Sequence, residues 1–247
     1  MRKDYDVFEY TKEDEKIVDT FYPKNELSKD IFDADKKMHQ NVRKKLIEIG
    51  NEFIDFLKIE FFIHDIILTG SLANYNWSKY SDVDLHIIID FEDDNFNYDF
   101  LKEFFDAKKR IWNLQRNINI KGFDVELYVQ DVNEKHESTG VYSVLNNKWI
   151  VEPTKDSKNI DAKKILNKAD YFMNIIDDLD KKSKNEDTSI EVEKVRKKIE
   201  KFRKSGLEKN GEYSYENLVF KLLRRNNYIK KLLDLKNIQI DKKLSIA

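Results

Sequence analysis

Two short polar motifs, each next to an apolar segment, constrain what this chain can fold into. Gly70 and Ser71 follow one apolar segment, and Asp82, Val83 and Asp84 open the next. Apolar segments of this length beside turn residues are typical of buried strands. Side chains alternate along a strand, so both acids are expected on one face and Val83 on the other. Two neighbouring acids repel each other unless a cation lies between them, so the pattern predicts a divalent-metal site.

A third predicted strand, residues 123–130, supplies two more acids. Apolar and polar residues alternate along it, and Asp124 and Glu126 lie on its polar face. Glu126 is favoured as a third metal ligand because it lies in the middle of the strand and has the longer side chain. Asp124, closer to the strand entrance, is the alternative, and in a further alternative both acids only face solvent.

This combination of motifs resembles the DNA polymerase β-like nucleotidyltransferase superfamily. The family signature is an apolar residue, Gly, then Gly or Ser, a spacer, and two acids that alternate with apolar residues. Leu68–Ser71 and Asp82–Leu85 fill those positions here. The motifs are most similar to those of uncharacterised phage-type nucleotidyltransferases. The resemblance covers about residues 60–130 and implies an α/β (α+β) fold with a mixed sheet flanked by helices, followed by a helical C-terminal module.

The resemblance also implies a two-metal phosphoryl transfer that uses Mg²⁺, or Mn²⁺ in its place. Its catalytic and metal-binding residues would be Asp82, Asp84 and Glu126, with Asp124 a lesser candidate. His86 is another lesser candidate, which would touch the substrate or hydrogen-bond to one of the acids. The residues expected to bind the nucleotide are the glycine-serine pair and two residues of the spacer, namely Gly70, Ser71, Lys79 and Ser81.

The expected substrate is a nucleoside triphosphate, whose monophosphate passes to an acceptor with release of pyrophosphate. A nucleic-acid acceptor normally requires a broad basic channel, whereas the net charge of this chain is −2. A hydroxyl of a small molecule or a protein is therefore favoured as the acceptor. Two alternatives remain: a catalytically silent protein that binds a nucleotide or a partner on the same scaffold, and a synthase of cyclic or oligomeric nucleotide signals.

Hydrophobic periodicity predicts how the chain is organised. A catalytic domain is expected at residues 1–153, with an extended N-terminal arm over about residues 1–30, and a helical domain at residues 154–247. Helices are predicted at residues 33–61, 97–117, 161–182, 189–204 and 214–235, strands at 63–68, 82–91 and 123–130, and a hairpin around Asn146 and Asn147.

Composition narrows the class of protein further. The chain has no cysteine, which excludes disulfides, thiolate zinc sites and cysteine nucleophiles. It has no run of roughly 20 apolar residues, and its N-terminal residues have no apolar signal segment. We therefore expect a protein that does not enter a membrane and acts in the cytoplasm, or in the host cytoplasm if a phage encodes it.

Overall fold

The computed structural model describes residues 10–58, 61–91, 97–136, 138–155 and 159–246. Contacts divide the chain into a sheet unit, Pro23–Ser157, and a helical unit, Met1–Tyr22 with Lys158–Ala247. The segment before Pro23 thus groups with the C-terminal helices, whereas the predicted limits assign it to the catalytic domain. Those limits stay a prediction, and residues 156–158 of the expected boundary lie outside the described residues.

The sheet unit contains a mixed sheet with the strand order β3-β4-β2-β1-β5-β6. Strands β2 and β4 are parallel, and the other neighbouring pairs are antiparallel. This mixed sheet, with flanking helices and a helical region after it, confirms the predicted fold class. The strand limits are Ile63–Thr69 (β1), Val83–Ile89 (β2), Asn119–Ile120 (β3), Phe123–Asp131 (β4), Val141–Ser143 (β5) and Lys148–Val151 (β6).

The core of the sheet unit lies between the apolar side of this sheet and two helices, α2 (Gln40–Leu57) and α3 (Tyr98–Gln115). Both helices carry apolar residues at three- and four-residue steps, which gives each a buried stripe. The buried residues that meet in this core include Leu46, Phe53, Leu85, Ile87, Phe105, Trp112 and Leu127. Because one side of the sheet is covered in this way, the polar side chains of β2 and β4 take the other side.

Helix α2 is shorter than predicted at both ends. The prediction started it near Asp33, but the Asp33 carboxylate accepts hydrogen bonds from the amides of Asp35 and Lys37 and closes a turn instead. Lys36 has a left-handed φ of 59° in this turn, which an α-helix excludes. The helix ends at Leu57, and residues 59 and 60 of the predicted helix lie outside the described residues.

The N-terminal arm was predicted to be extended, and for the described residues from Lys12 to Asp19 this is wrong. They form helix α1 (Lys12–Asp19). Thr11 and Asp14 make a capping box, in which the hydroxyl accepts from the Asp14 amide and the carboxylate accepts from the Thr11 amide. Ile17 and Val18 are buried, so tertiary packing stabilises a helix too short to form alone. Residues 1–9 of the arm lie outside the described residues.

The predicted last helix, residues 214–235, is in fact two helices. Asn227 has a φ of 62° and separates the first helix from the second. The neighbouring Asn226 donates a 2.5 Å hydrogen bond to the Asp14 carboxylate of α1. The residues between the two helices are therefore in contact with a segment of the helical unit that is far away in the sequence. The helices of this unit after α1 are α4 (Ala162–Ser183), α5 (Ser189–Asn210), α6 (Tyr215–Arg225) and α7 (Tyr228–Leu244).

The helices in the described part of the chain do not include one that is both long and apolar enough to cross a membrane.

We predict that Gly140→Ala destabilises the sheet unit. A Cβ atom at this position would lie 2.0 Å from the backbone carbonyl oxygen of Ala73, which cannot move as a side chain can. Overpacking of this kind costs about 1–3 kcal/mol of unfolding free energy, measurable by chemical denaturation.

Gly50→Ala is the matched control for this prediction. Its Cβ would meet the mobile end of a side chain, Ile66 Cδ1, at 2.7 Å, and alanine also favours helix α2 by about 1 kcal/mol over glycine. An equal loss of stability in the two variants would contradict the assignment of Gly140 as a close backbone approach.

Candidate functional site

Strand register brings three of the predicted site elements side by side. Thr69, the last residue of β1, pairs with Asp84 of β2, and Asp84 pairs with Glu126 of β4. Directly opposed residues of neighbouring strands project to the same side of a sheet. The end of β1 and one acid from each of two other strands therefore meet on the side of the sheet away from the core.

Gly70 lies in direct contact with Asp84. Its φ of 70° and ψ of −156° belong to a region that is essentially restricted to glycine. A Cβ atom at this position would lie 1.9 Å from Asp84 Oδ2. The carboxylate thus occupies the space that any side chain at position 70 would fill, so glycine is required there for two independent reasons.

Asp82 precedes the first residue of β2 and is partly buried, as Asp84 is. The charges of both aspartates contribute to a raised pKa of Tyr128, so both are electrostatic neighbours of this β4 residue. Register places Asp84 beside Glu126, and Asp82 lies just before the start of the same strand.

Tyr128 is a site residue that the sequence analysis missed. Its hydroxyl donates a 2.6 Å hydrogen bond to Glu126 Oε2. Burial is the main reason why the pKa of Tyr128 lies well above its usual range, and the hydrogen bond to Glu126 is the second. The hydroxyl therefore keeps its proton and remains a donor. The sequence signal was its position two residues after Glu126, which places both side chains on one face of a strand.

Asp124, the alternative third acid, has different surroundings from those of Glu126. It is exposed and pairs with Asn119 of the short edge strand β3. The Asn119 side-chain amide donates to Asp124 Oδ1 at 3.2 Å. Register thus places Glu126, and not Asp124, directly beside Asp84.

The spacer between the two motifs is closed by hydrogen bonds to Ser81. Ser71 Oγ donates to Ser81 Oγ at 2.7 Å, and the Ser78 amide donates to the same oxygen at 2.9 Å. The first spacer residues form a 3₁₀ turn, Ser71–Ala73. Two predicted nucleotide-binding residues, Ser71 and Ser81, are therefore in contact. Lys79 is exposed, with its ammonium 4.9 Å from the ring centroid of Tyr80.

His86 lies one step further along the same face of β2, and both of its ring nitrogens have polar neighbours. Nδ1 lies 2.8 Å from Gln130 Oε1, and Nε2 lies 3.3 Å from Thr69 Oγ1. Burial lowers the pKa of His86, which favours the neutral ring. These contacts support a hydrogen-bonding role within the sheet. Thr69 and Gln130 were not identified from the sequence, because their side-chain contacts with His86 depend on how β1 and β4 are aligned with β2.

The metal site stays a prediction. Across residues 10–58, 61–91, 97–136, 138–155 and 159–246, no group of three or more His, Cys, Asp and Glu side chains could hold a metal ion. Magnesium ions in nucleotide-dependent enzymes are commonly bound through one or two carboxylates together with the substrate phosphates. Asp84 and Glu126, which are paired across β2 and β4, have the carboxylate oxygens that such an ion would need beside the substrate phosphates.

Comparisons with known proteins add little to this geometry. No protein-family model and no curated protein matches the chain. Among solved structures, the STING-associated CdnE c-di-GMP synthase from Capnocytophaga granulosa matches with a TM-score of 0.23. The two chains are 12% identical, and the match covers 83% of this chain and 84% of that one. A similarity this low carries no argument about fold or function, so the function has to be argued from the site.

Proposed function

We propose that the protein is a nucleotidyltransferase that depends on Mg²⁺ or Mn²⁺, acts in the cytoplasm and releases pyrophosphate from a nucleoside triphosphate. One observation carries this proposal: Asp84 is paired with Thr69 on one side and with Glu126 on the other, while its carboxylate contacts Gly70. The glycine at the end of β1 thus lies beside Asp84 and Glu126, which are paired on one face of the sheet. Phosphate and divalent cations require such neighbouring groups.

The acids would act as ligands and as a proton acceptor in this reaction. Asp82 and Asp84 would hold the ions, and Glu126 would complete the site and accept the proton of the attacking hydroxyl. Bound divalent ions lower the pKa of that hydroxyl and neutralise charge on the triphosphate. The remaining task of the protein is positioning, which rigid neighbouring strands perform better than loops do.

The glycine-serine bend would receive the phosphates. Gly70 exposes its backbone, and Ser71 would offer its amide to phosphate oxygens, and its hydroxyl once that hydroxyl turns away from Ser81. Ser81 accepts the Ser71 hydroxyl proton in this structure, which keeps the two ends of the spacer together. Lys79, which is exposed, would reach the phosphates only through its long flexible side chain. For the acceptor we propose a hydroxyl of a small molecule or a protein, because the chain as a whole lacks a basic excess.

We predict that Asp84→Asn and Glu126→Gln each reduce turnover by about 100-fold or more. Removing a residue that only hydrogen-bonds to a metal ligand already costs about 10–100-fold, and these two acids would be ligands themselves. The assay is pyrophosphate release with Mg²⁺ or Mn²⁺ and each of the four triphosphates, with and without alcohol acceptors. Asp124→Asn is the matched control on the same strand, and we expect it to retain activity.

Each outcome of this assay distinguishes one function from another. Loss of turnover in Asp124→Asn, with Glu126→Gln active, would assign the third acid to Asp124. Nucleotide binding without turnover in the unsubstituted protein would favour a silent binding protein. Products formed from triphosphates alone, without an added acceptor, would favour a synthase of cyclic or oligomeric nucleotides.

We also predict that Gly70→Ala abolishes turnover, because the added Cβ displaces the Asp84 carboxylate and requires a backbone conformation that costs about 1–3 kcal/mol for other residues. Gly122→Ala controls for the strain alone. Gly122 also has a positive φ, of 91°, but a Cβ there has nothing within 4 Å. We expect Gly122→Ala to lose stability and keep activity; equal activity in the two variants would refute the role assigned to Gly70.

A further inference from the structure

The hydrogen bond between Tyr128 and Glu126 is of the strong, charge-assisted kind. Its 2.6 Å length lies within the range of about 2.5–2.7 Å that is typical of a hydroxyl that donates to a carboxylate. Both residues lie on β4, two positions apart and partly buried. One oxygen of Glu126 is thus bound to a donor from its own strand.

The Tyr128 ring is in turn held by contacts on β2 and α3. The His86 ring lies 4.8 Å away between centroids and is inclined by 31°, and the Lys109 ammonium lies 4.4 Å from the Tyr128 ring centroid. Lys109 also pairs with Asp106 at 3.0 Å. The donor is therefore placed by three elements of the sheet unit, independently of Glu126.

From this arrangement we infer that Tyr128 is a positioning residue for Glu126 in the proposed nucleotidyl transfer. A free glutamate side chain loses up to about 2 kcal/mol of conformational entropy when it is held in one rotamer. The hydroxyl restrains the carboxylate in advance through Oε2, so that Glu126 Oε1 serves the metal ion or the attacking hydroxyl. This inference rests on the proposed function, and it adds a residue outside the acid motifs.

The test compares Tyr128→Phe with the unsubstituted protein in two measurements, Mn²⁺ binding by calorimetry and pyrophosphate release. We expect Mn²⁺ affinity and kcat each to fall about 10-fold, as for other residues that orient metal ligands, with KM for the triphosphate within about twofold. A general loss of structure would lower kcat and the number of Mn²⁺ sites per chain but leave the Mn²⁺ affinity of the folded molecules unchanged, so the fall in affinity separates the two explanations.

Tyr142→Phe is the matched control. The Tyr142 hydroxyl donates to Asn147 Oδ1 at 2.9 Å and accepts from the Met38 amide at 3.2 Å, so its removal also breaks hydrogen bonds of the sheet unit. We expect this variant to lower thermal stability without a change in Mn²⁺ affinity.

A double-mutant cycle tests whether Tyr128 acts through Glu126. In a Glu126→Gln background, Tyr128→Phe should have no further effect on Mn²⁺ affinity. If Tyr128→Phe does not fold, Lys109→Met takes its place, because it loosens the ring and keeps the hydroxyl; we expect a smaller loss, about twofold to threefold.

Two results would overturn the inference while the proposed function stands. The first is an active protein in which Tyr128→Phe, or Lys109→Met in its place, leaves Mn²⁺ affinity and kcat unchanged. The second is an effect of Tyr128→Phe that persists in full when Glu126 is Gln. If the unsubstituted protein neither binds Mn²⁺ nor releases pyrophosphate, the proposed function fails, and the inference fails with it.

Discussion

The contact between the Gly70 backbone and the Asp84 carboxylate is the constraint on which the candidate site depends. Because a Cβ atom at residue 70 would lie 1.9 Å from Asp84 Oδ2, the chain can turn at the end of β1 only without a side chain. The same turn starts the 3₁₀ segment that places Ser71 against Ser81. One close approach thus determines both the position of an acid and the shape of the spacer.

The position of Glu126 beside Asp84 depends on the segment that connects β2 to β4. Strands β2 and β4 are parallel, so the chain must cross from one end of the sheet to the other between them, and α3 lies in this connection. Leu101, Phe105 and Trp112 anchor the helix in the core. Asn113 Oδ1 also accepts a 3.3 Å hydrogen bond from the Leu127 amide of β4. The packing of α3 therefore supports the register that places Glu126 beside Asp84.

Placing like charges on neighbouring strands is unfavourable for folding, and the surroundings of the acids reduce this effect. The Tyr128 hydroxyl donates to Glu126, and the ammonium group of Lys109 on α3 lies over the Tyr128 ring. The neutral His86 adds no charge to the group. Keeping Asp84 and Glu126 side by side therefore costs some stability, which fits the proposed role of these acids as ligands of a cation.

Local patterns in the sequence were enough to determine the strands of the site and which acids face away from the core. A continuous apolar segment beside turn residues was enough to predict β1, and alternation with a period of two residues predicted β4 and the face of Asp84 on β2. The register that places Glu126 beside Asp84, the contacts that hold the Tyr128 ring and the helix break at Asn227 did not follow. Each involves a segment far away in the chain: β2 paired with β4, His86 and Lys109 beside the Tyr128 ring, and Asp14 of α1 beside Asn226. Only the tertiary structure could decide these, because pairing and packing between distant segments leave no periodic signal in the sequence.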